Sequence, residues 1–192
     1  VIEPESSRDI PFIVDLPEEV PPGGHFAAIL IGTRPPETTE NLAIRTAQMV
    51  SSLFFLRVSG DVVERASIRE FSVDTVFTEE PRAAFTLRFQ NEGNVHLRPR
   101  GNIVITNMWG KERGRIPINQ QSNFGNVLPS SIRKFEFSWA GEPSLADIGR
   151  YTAEVTLGYG QDEWRTLTRS TSFWVIPVRL ALLSLAVVLA LI

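Results

Sequence analysis

Three stretches of the chain alternate between apolar and polar residues at nearly every position, and this pattern restricts the fold more than any other feature. The stretches are residues 83–90, 133–139 and 151–157. In the first of them, Ala83, Phe85, Leu87 and Phe89 fall on every second position. A period of two places successive side chains on opposite sides of an extended backbone. The sequence therefore predicts half-buried β-strands, each with one apolar and one polar face.

Further strands and turns complete the pattern of a β domain. Additional strand candidates are residues 68–77, 102–106 and 164–175, and Gly- and Asn-containing turns lie at residues 91–94, 109–110, 123–126 and 158–163. About seven short strands separated by such turns over about 110 residues are typical of an immunoglobulin-like sandwich. We therefore predict an all-β fold with one complete Ig-like β-sandwich over residues 62–175.

The first part of the chain shows the same features, but too few of them for a whole domain. Ile10, Phe12, Val14 and Leu16 alternate with other residues, and an apolar run over residues 25–31 follows a Pro-Pro-Gly-Gly turn. Residues 42–49 and 53–58 supply two more candidate strands. A sandwich normally uses about 100 residues. We interpret residues 1–61 as the C-terminal part of a first Ig-like sandwich.

The end of the chain is apolar. Residues 180–192 contain Ser184 as their only polar residue, and Trp174, Pro177 and Arg179 precede them. Trp favours the headgroup level of a membrane, Pro is tolerated in a first helical turn, and Arg near a helix end reaches the interface. Thirteen helical residues span about 20 Å of the roughly 30 Å bilayer core. We predict a truncated transmembrane helix over residues 176–192; a buried C-terminal core helix is the alternative.

Charge and composition exclude several function classes. The net charge is -3 and the pI is near 5.5, so a nucleic-acid partner is not expected. The chain has no cysteine, and its two histidines, His25 and His96, occur in no hydrolase or metal-binding motif. Acidic pairs such as Glu18-Glu19 lack the spacing of a calcium loop. We therefore predict a protein that is not an enzyme and holds no cofactor and no metal.

Aromatic residues are the remaining sign of a binding surface. Trp109 lies beside Gly110 in a predicted turn and belongs to no alternating face. Trp139 and Trp164 flank strand ends, from which a ring could stack on a sugar or a partner, but Trp139 fits the apolar face of its strand. Trp109 is therefore the predicted binding residue.

Several segments carry a family resemblance. They are Leu16-Pro-Glu-Glu-Val-Pro-Pro-Gly-Gly-His-Phe-Ala-Ala-Ile-Leu30, Phe71-Ser-Val-Asp74 and Asn91-Glu-Gly-Asn-Val95, followed by one predicted membrane helix. Together they resemble bacterial cell-surface proteins similar to the WxL-interacting family. The resemblance implies two Ig-like domains, a C-terminal membrane helix, and binding of peptidoglycan and partner surface proteins.

The predicted function follows from this layout. We expect a single-pass protein of the cell membrane whose β domains are extracytoplasmic. It would act as a scaffold or adhesive module for cell-wall polymer or another surface protein. The alternative is a glycan-binding accessory region of a larger surface enzyme whose catalytic domain lies upstream. In a third hypothesis the apolar end is a sorting tail that a transpeptidase cleaves.

Overall fold

The computed structural model describes residues 6–33, 48–120, 125–142 and 148–177. Within these residues the chain forms ten β-strands and no helix, so the all-β prediction is confirmed. In chain order the strands are β1 (Gly23–Gly32), β2 (Met49–Val58), β3 (Ala66–Val73), β4 (Phe77–Thr78), β5 (Arg82–Asn91), β6 (Arg100–Thr106), β7 (Glu112–Ile118), β8 (Ile132–Ala140), β9 (Gly149–Tyr159) and β10 (Arg165–Val175).

Strands β3 to β10 form a sandwich of two sheets. One sheet has the order β3-β5-β8 and the other the order β4-β10-β9-β6-β7. All neighbouring strands are antiparallel except β4 and β10, which are parallel over two residues. The inner faces of the two sheets form one hydrophobic core, as alternating strands require. The prediction of a β-sandwich is therefore confirmed.

The central strands bury the faces that the alternation predicts. In β5, Phe85, Leu87 and Phe89 lie in the core, and β9 contributes Tyr151, Ala153, Val155 and Leu157. The apolar face of β8 is only half-buried, because β8 is the last strand of its sheet and, among the described residues, one of its sides has no neighbouring strand. Trp139 of this strand packs against the rings of Tyr151 and Phe173, with centroids 6.0 and 6.2 Å away. Trp139 is thus a core residue, as its position in the pattern indicates.

Strands β1 and β2 form a separate antiparallel ribbon before the sandwich. Their pairing runs from Gly23 opposite Val58 to Gly32 opposite Met49. The alternating residues 10–16, predicted as a strand, form no strand; Phe12 instead packs edge-on against Phe54, with ring centroids 6.1 Å apart. This segment contacts the ribbon through a side chain and not through the backbone hydrogen bonds of a strand pair. The alternation therefore predicted which residues share an apolar face, but not whether they pair as a strand. That this region is part of a first sandwich stays a prediction.

Strand β10 ends at Val175, and the described chain ends two residues later at Pro177. The predicted transmembrane helix therefore lies almost wholly outside the described residues. Within the part that the structure describes, no helix is long and apolar enough to cross a membrane.

Candidate functional site

The sandwich has two ends that carry different surfaces. Strands β6 and β10 both run antiparallel to β9, so β6 and β10 point the same way. We call the end where β6 and β10 finish the proximal pole, because β10 leads to the C-terminal residues. We call the opposite end, where β6 and β10 start, the distal pole. The β1–β2 ribbon joins the sandwich at the distal pole, where Gly24 N donates to Asn94 O at 2.8 Å.

A polar groove of about 320 Å³ lies at the distal pole. Its lining includes six polar or aromatic side chains, of which five lie in three loops and Arg100 is the first residue of β6: His96, Arg98, Arg100, Asn126, Gln161 and Trp164. We call it the Trp164 groove. None of these six side chains is a carboxylate, and two are guanidinium groups, so the lining is rich in hydrogen-bond donors.

Trp164 forms the aromatic part of the groove. It lies just before β10, in the turn that follows β9, and 64% of its surface is exposed. Its indole lies against Gly158 of β9, where an added Cβ would come within 2.2 Å of the ring. Only glycine leaves room for this arrangement. The ring is therefore supported by the sheet and still accessible from solution.

The loop that carries His96 is held by one buried amide. Asn91 Nδ2 donates to Val95 O at 2.7 Å and to Val127 O at 2.9 Å, and its Oδ1 accepts from Gly93 N at 2.9 Å. A buried side-chain amide whose two N–H groups and one carbonyl oxygen are all hydrogen-bonded fixes the backbone segments that it bonds. Asn91 thus sets the position of the loop below the groove.

His96 connects the groove with the ribbon. Its ring lies 5.3 Å from the ring of Phe55 in β2, and among the described residues its buried Nδ1 has no hydrogen-bond partner. Burial, together with the positive charge of Arg57, lowers the pKa of His96 below its ordinary value. At neutral pH the imidazole is therefore uncharged and keeps one donor and one acceptor nitrogen.

An ion-pair network joins the ribbon to the turn that bears Trp164. Arg57 Nη1 donates to the Glu64 carboxylate at 2.6 Å, and Arg57 Nη2 pairs with Asp162. Glu64 also accepts from Gln161 N at 3.0 Å. Burial raises the pKa of Glu64, but the hydrogen bonds from Arg57 and Gln161 outweigh it, so the pKa lies below its ordinary value. The ionised Glu64 therefore fixes the turn.

The structure places the predicted binding residue Trp109 at the proximal pole, away from the Trp164 groove. Trp109 lies between β6 and β7 and is 73% exposed, and its role in binding stays a prediction. Sequence reasoning named Trp164 as a residue that could stack on a sugar, but it did not identify the polar side chains around it. Their signal in the sequence was weak, because they come from three separate segments of the chain.

The arrangement suits a polar ligand with apolar patches. An exposed indole offers a flat surface for stacking, and guanidinium, amide and imidazole groups beside it offer hydrogen bonds in several directions. A sugar ring has this mixed character, with hydroxyl groups around an apolar face. Among the described residues, no group of three or more His, Asp or Glu side chains could hold a metal ion.

Comparisons with known proteins give only distant structural likenesses. No protein-family description and no curated protein matches the chain. The crystal structure of the C-terminal domain of wzt is 14% identical, with a TM-score of 0.43 over 61% of this chain and 79% of that one. The Northeast Structural Genomics Consortium target SoR45 is 12% identical, with a TM-score of 0.37 over 59% of this chain and 84% of that one. These likenesses are too distant to indicate a function.

Proposed function

We propose that the protein is a membrane-anchored, extracytoplasmic envelope protein that binds the sugar chain of a cell-wall polymer in the Trp164 groove. The observation that carries this proposal is the exposed indole of Trp164, seated on β9 and surrounded by side-chain donors. Such a pairing of one stacking surface with convergent polar groups is how polar ligands are oriented in shallow sites. The protein would act through binding and not through catalysis.

The strand order supports an Ig-like domain. Labelled from A to G along the chain, β3, β5 and β8 correspond to strands A, B and E of an immunoglobulin-type sandwich. The order β10-β9-β6-β7 corresponds to strands G, F, C and C′ of the other sheet. On this basis we assign residues 62–175 to one complete Ig-like domain. Residues 1–61 would belong to a first domain of the same kind, as the resemblance to the WxL-interacting family implies.

Anchoring rests on the sequence after β10. Residues 178–192 contain only two polar residues, Arg179 and Ser184. A sandwich that precedes such a segment would lie outside the cytoplasm, with the C-terminus pointing inward. Protease added to intact cells should then digest the sandwich. Survival of the sandwich until the cells are broken would contradict the location and the surface function together.

Binding can be tested by co-sedimentation of the full chain, in mild detergent, with purified peptidoglycan sacculi. We expect the wild-type chain to pellet with the sacculi, and Trp164→Ala to bind at least about tenfold more weakly, as an aromatic hot spot does. Trp109→Ala is the matched control, since it removes another exposed indole at the opposite pole. A wild-type chain that stays in the supernatant, or equal loss in both variants, would refute the assignment.

A further inference from the structure

Exposed apolar side chains are concentrated at the proximal pole. The described part of residues 62–177 exposes ten large hydrophobic side chains, of which three, Val63, Ile132 and Trp164, lie towards the distal pole. The other seven lie at the proximal pole and are called here the apolar cap: Val76, Phe77, Met108, Trp109, Ile148, Trp174 and Ile176. Soluble surfaces scatter such residues singly, so a cluster of this kind indicates a contact surface.

The pairing of β4 with β10 brings one half of the cap together. Trp174 is the register partner of Phe77, and its backbone N donates to Val76 O at 2.7 Å. Ile176 N donates to Thr78 O at 2.8 Å, which continues the same pairing beyond the strand. Two strand ends therefore present apolar side chains at one edge.

The turn between β6 and β7 supplies the other half. Met108 packs on Gly149, where an added Cβ would meet its sulfur at 2.4 Å, and Ile148 precedes this glycine. Asn107 Oδ1 accepts from Trp109 N at 3.1 Å and from Lys111 N at 3.0 Å. These bonds stabilise the turn, and Trp109 lies beyond them with most of its surface open to solvent.

The charges around the cap do not form a basic patch. Arg82 pairs with Glu80, and Arg115 pairs with Glu112 at 2.8 Å, while Lys111 and Arg150, the register partner of Trp174, add two positive charges beside the cap. Attraction to an anionic surface usually needs a cluster of about four or more Lys or Arg residues. A suitable partner would therefore bind the Trp and Phe side chains of the cap without requiring a basic patch around them.

We propose that the apolar cap docks on the headgroup region of the lipid bilayer, with Trp109, Trp174 and Phe77 as its main contacts. Two facts favour lipid over a protein partner. Trp is enriched at the membrane interface, and the chain continues directly from the cap into the apolar residues 178–192. The inference rests on the membrane anchoring proposed above but not on the Trp164 groove. It also gives Trp109 a role, namely contact with lipid.

The absence of cysteine from the chain allows a site-specific test. The full chain is assembled in phosphatidylcholine nanodiscs, in which both bilayer faces are open to solution. A single cysteine replaces Lys111 beside the cap or, as a control, Ile132 near the distal pole, and each carries the fluorophore NBD. We expect dithionite to reduce the fluorophore at position 111 about tenfold more slowly than that at position 132, because docking shields it.

A triple variant tests whether the cap causes this protection. With Phe77→Ser, Trp109→Ser and Trp174→Ser, the fluorophore at position 111 should react as fast as that at position 132. An unchanged thermal melt shows that the variant is folded; if it is not, Trp109→Ser alone should give an intermediate rate. The docking would be overturned if the two fluorophores reacted at equal rates in the chain with an unmodified cap. It would also be overturned if the fluorophore at position 111 stayed protected in the triple variant. A chain that does not enter nanodiscs overturns the anchoring and the docking together, whereas equal rates in an inserted chain overturn the docking alone.

Discussion

Replacing Asn91 by alanine should destabilise the sandwich strongly, because its amide is buried and fully used. The change leaves Gly93 N and Val95 O without this partner, while Val127 O still accepts from Leu97 N at 3.0 Å. Each buried polar group left unpaired costs about 1–3 kcal/mol, so two such groups cost about 4 kcal/mol. For a chain of this length, that free energy lowers the melting temperature by about 10 °C.

The assay is thermal unfolding of the full chain in detergent, followed by near-ultraviolet circular dichroism. Asn102→Ala is the matched control: the Asn102 side chain accepts from Gln120 Nε2 at 2.7 Å, but this hydrogen bond is exposed. We expect the control to change the unfolding free energy by less than about 0.5 kcal/mol. If Asn91→Ala melts within a degree or two of Asn102→Ala, the buried amide is not what holds this loop.

Three further outcomes follow from the structure. Because the pKa of Glu64 is lowered in the folded state, ionised Glu64 stabilises the fold above its ordinary pKa of 4.5, and this stabilisation is lost as the pH falls through the folded pKa. In urea unfolding, wild type should therefore be more stable than Glu64→Gln at neutral pH, and this difference in unfolding free energy should disappear in acid. Gly158→Ala should displace the indole of Trp164 and weaken sedimentation with sacculi, while the melting temperature changes little; unchanged sedimentation would contradict the seat that we describe for the ring. Residues 62–177 made alone should unfold cooperatively, since the sandwich core lies within them; a melt without a transition would show that the domain needs the preceding ribbon.

Alternation predicted the central strands well, because β5 and β9 have a neighbour on each side and bury one face completely. It overestimated the burial of the edge strand β8 and predicted a strand at residues 10–16 where none forms. The alternating pattern specifies which face is apolar, but pairing depends on whether a partner strand is present. For β8 and for residues 10–16, burial and strand pairing depended on residues that are distant in the sequence.

The candidate binding surfaces were harder to predict. The Trp164 groove draws on residues 96–100, 126 and 161–164, which become neighbours only through the pairing of β6 with β9 and of Leu97 with Val127. Likewise, Trp109 and Trp174 share one pole only because β6 and β10 point the same way. Sequence reasoning identified the aromatic residues one by one, but the sheet order determines which of them lie at the same end of the sandwich.

The position of β10 has a mechanical consequence. Trp164 lies directly before its first residue, Arg165, and the apolar C-terminal residues follow its last residue, Val175, after Ile176 and Pro177. A pull between a polymer held in the groove and an anchor in the membrane would therefore run along this one strand, over about 35 Å. Eleven residue pairs join β10 to β9, and their hydrogen bonds lie across the direction of pull. Because such a load would enter and leave β10 at its two ends, the covalent backbone of this strand would carry it, and the hydrogen bonds to β9 would keep the strand in the sheet without having to transmit the tension.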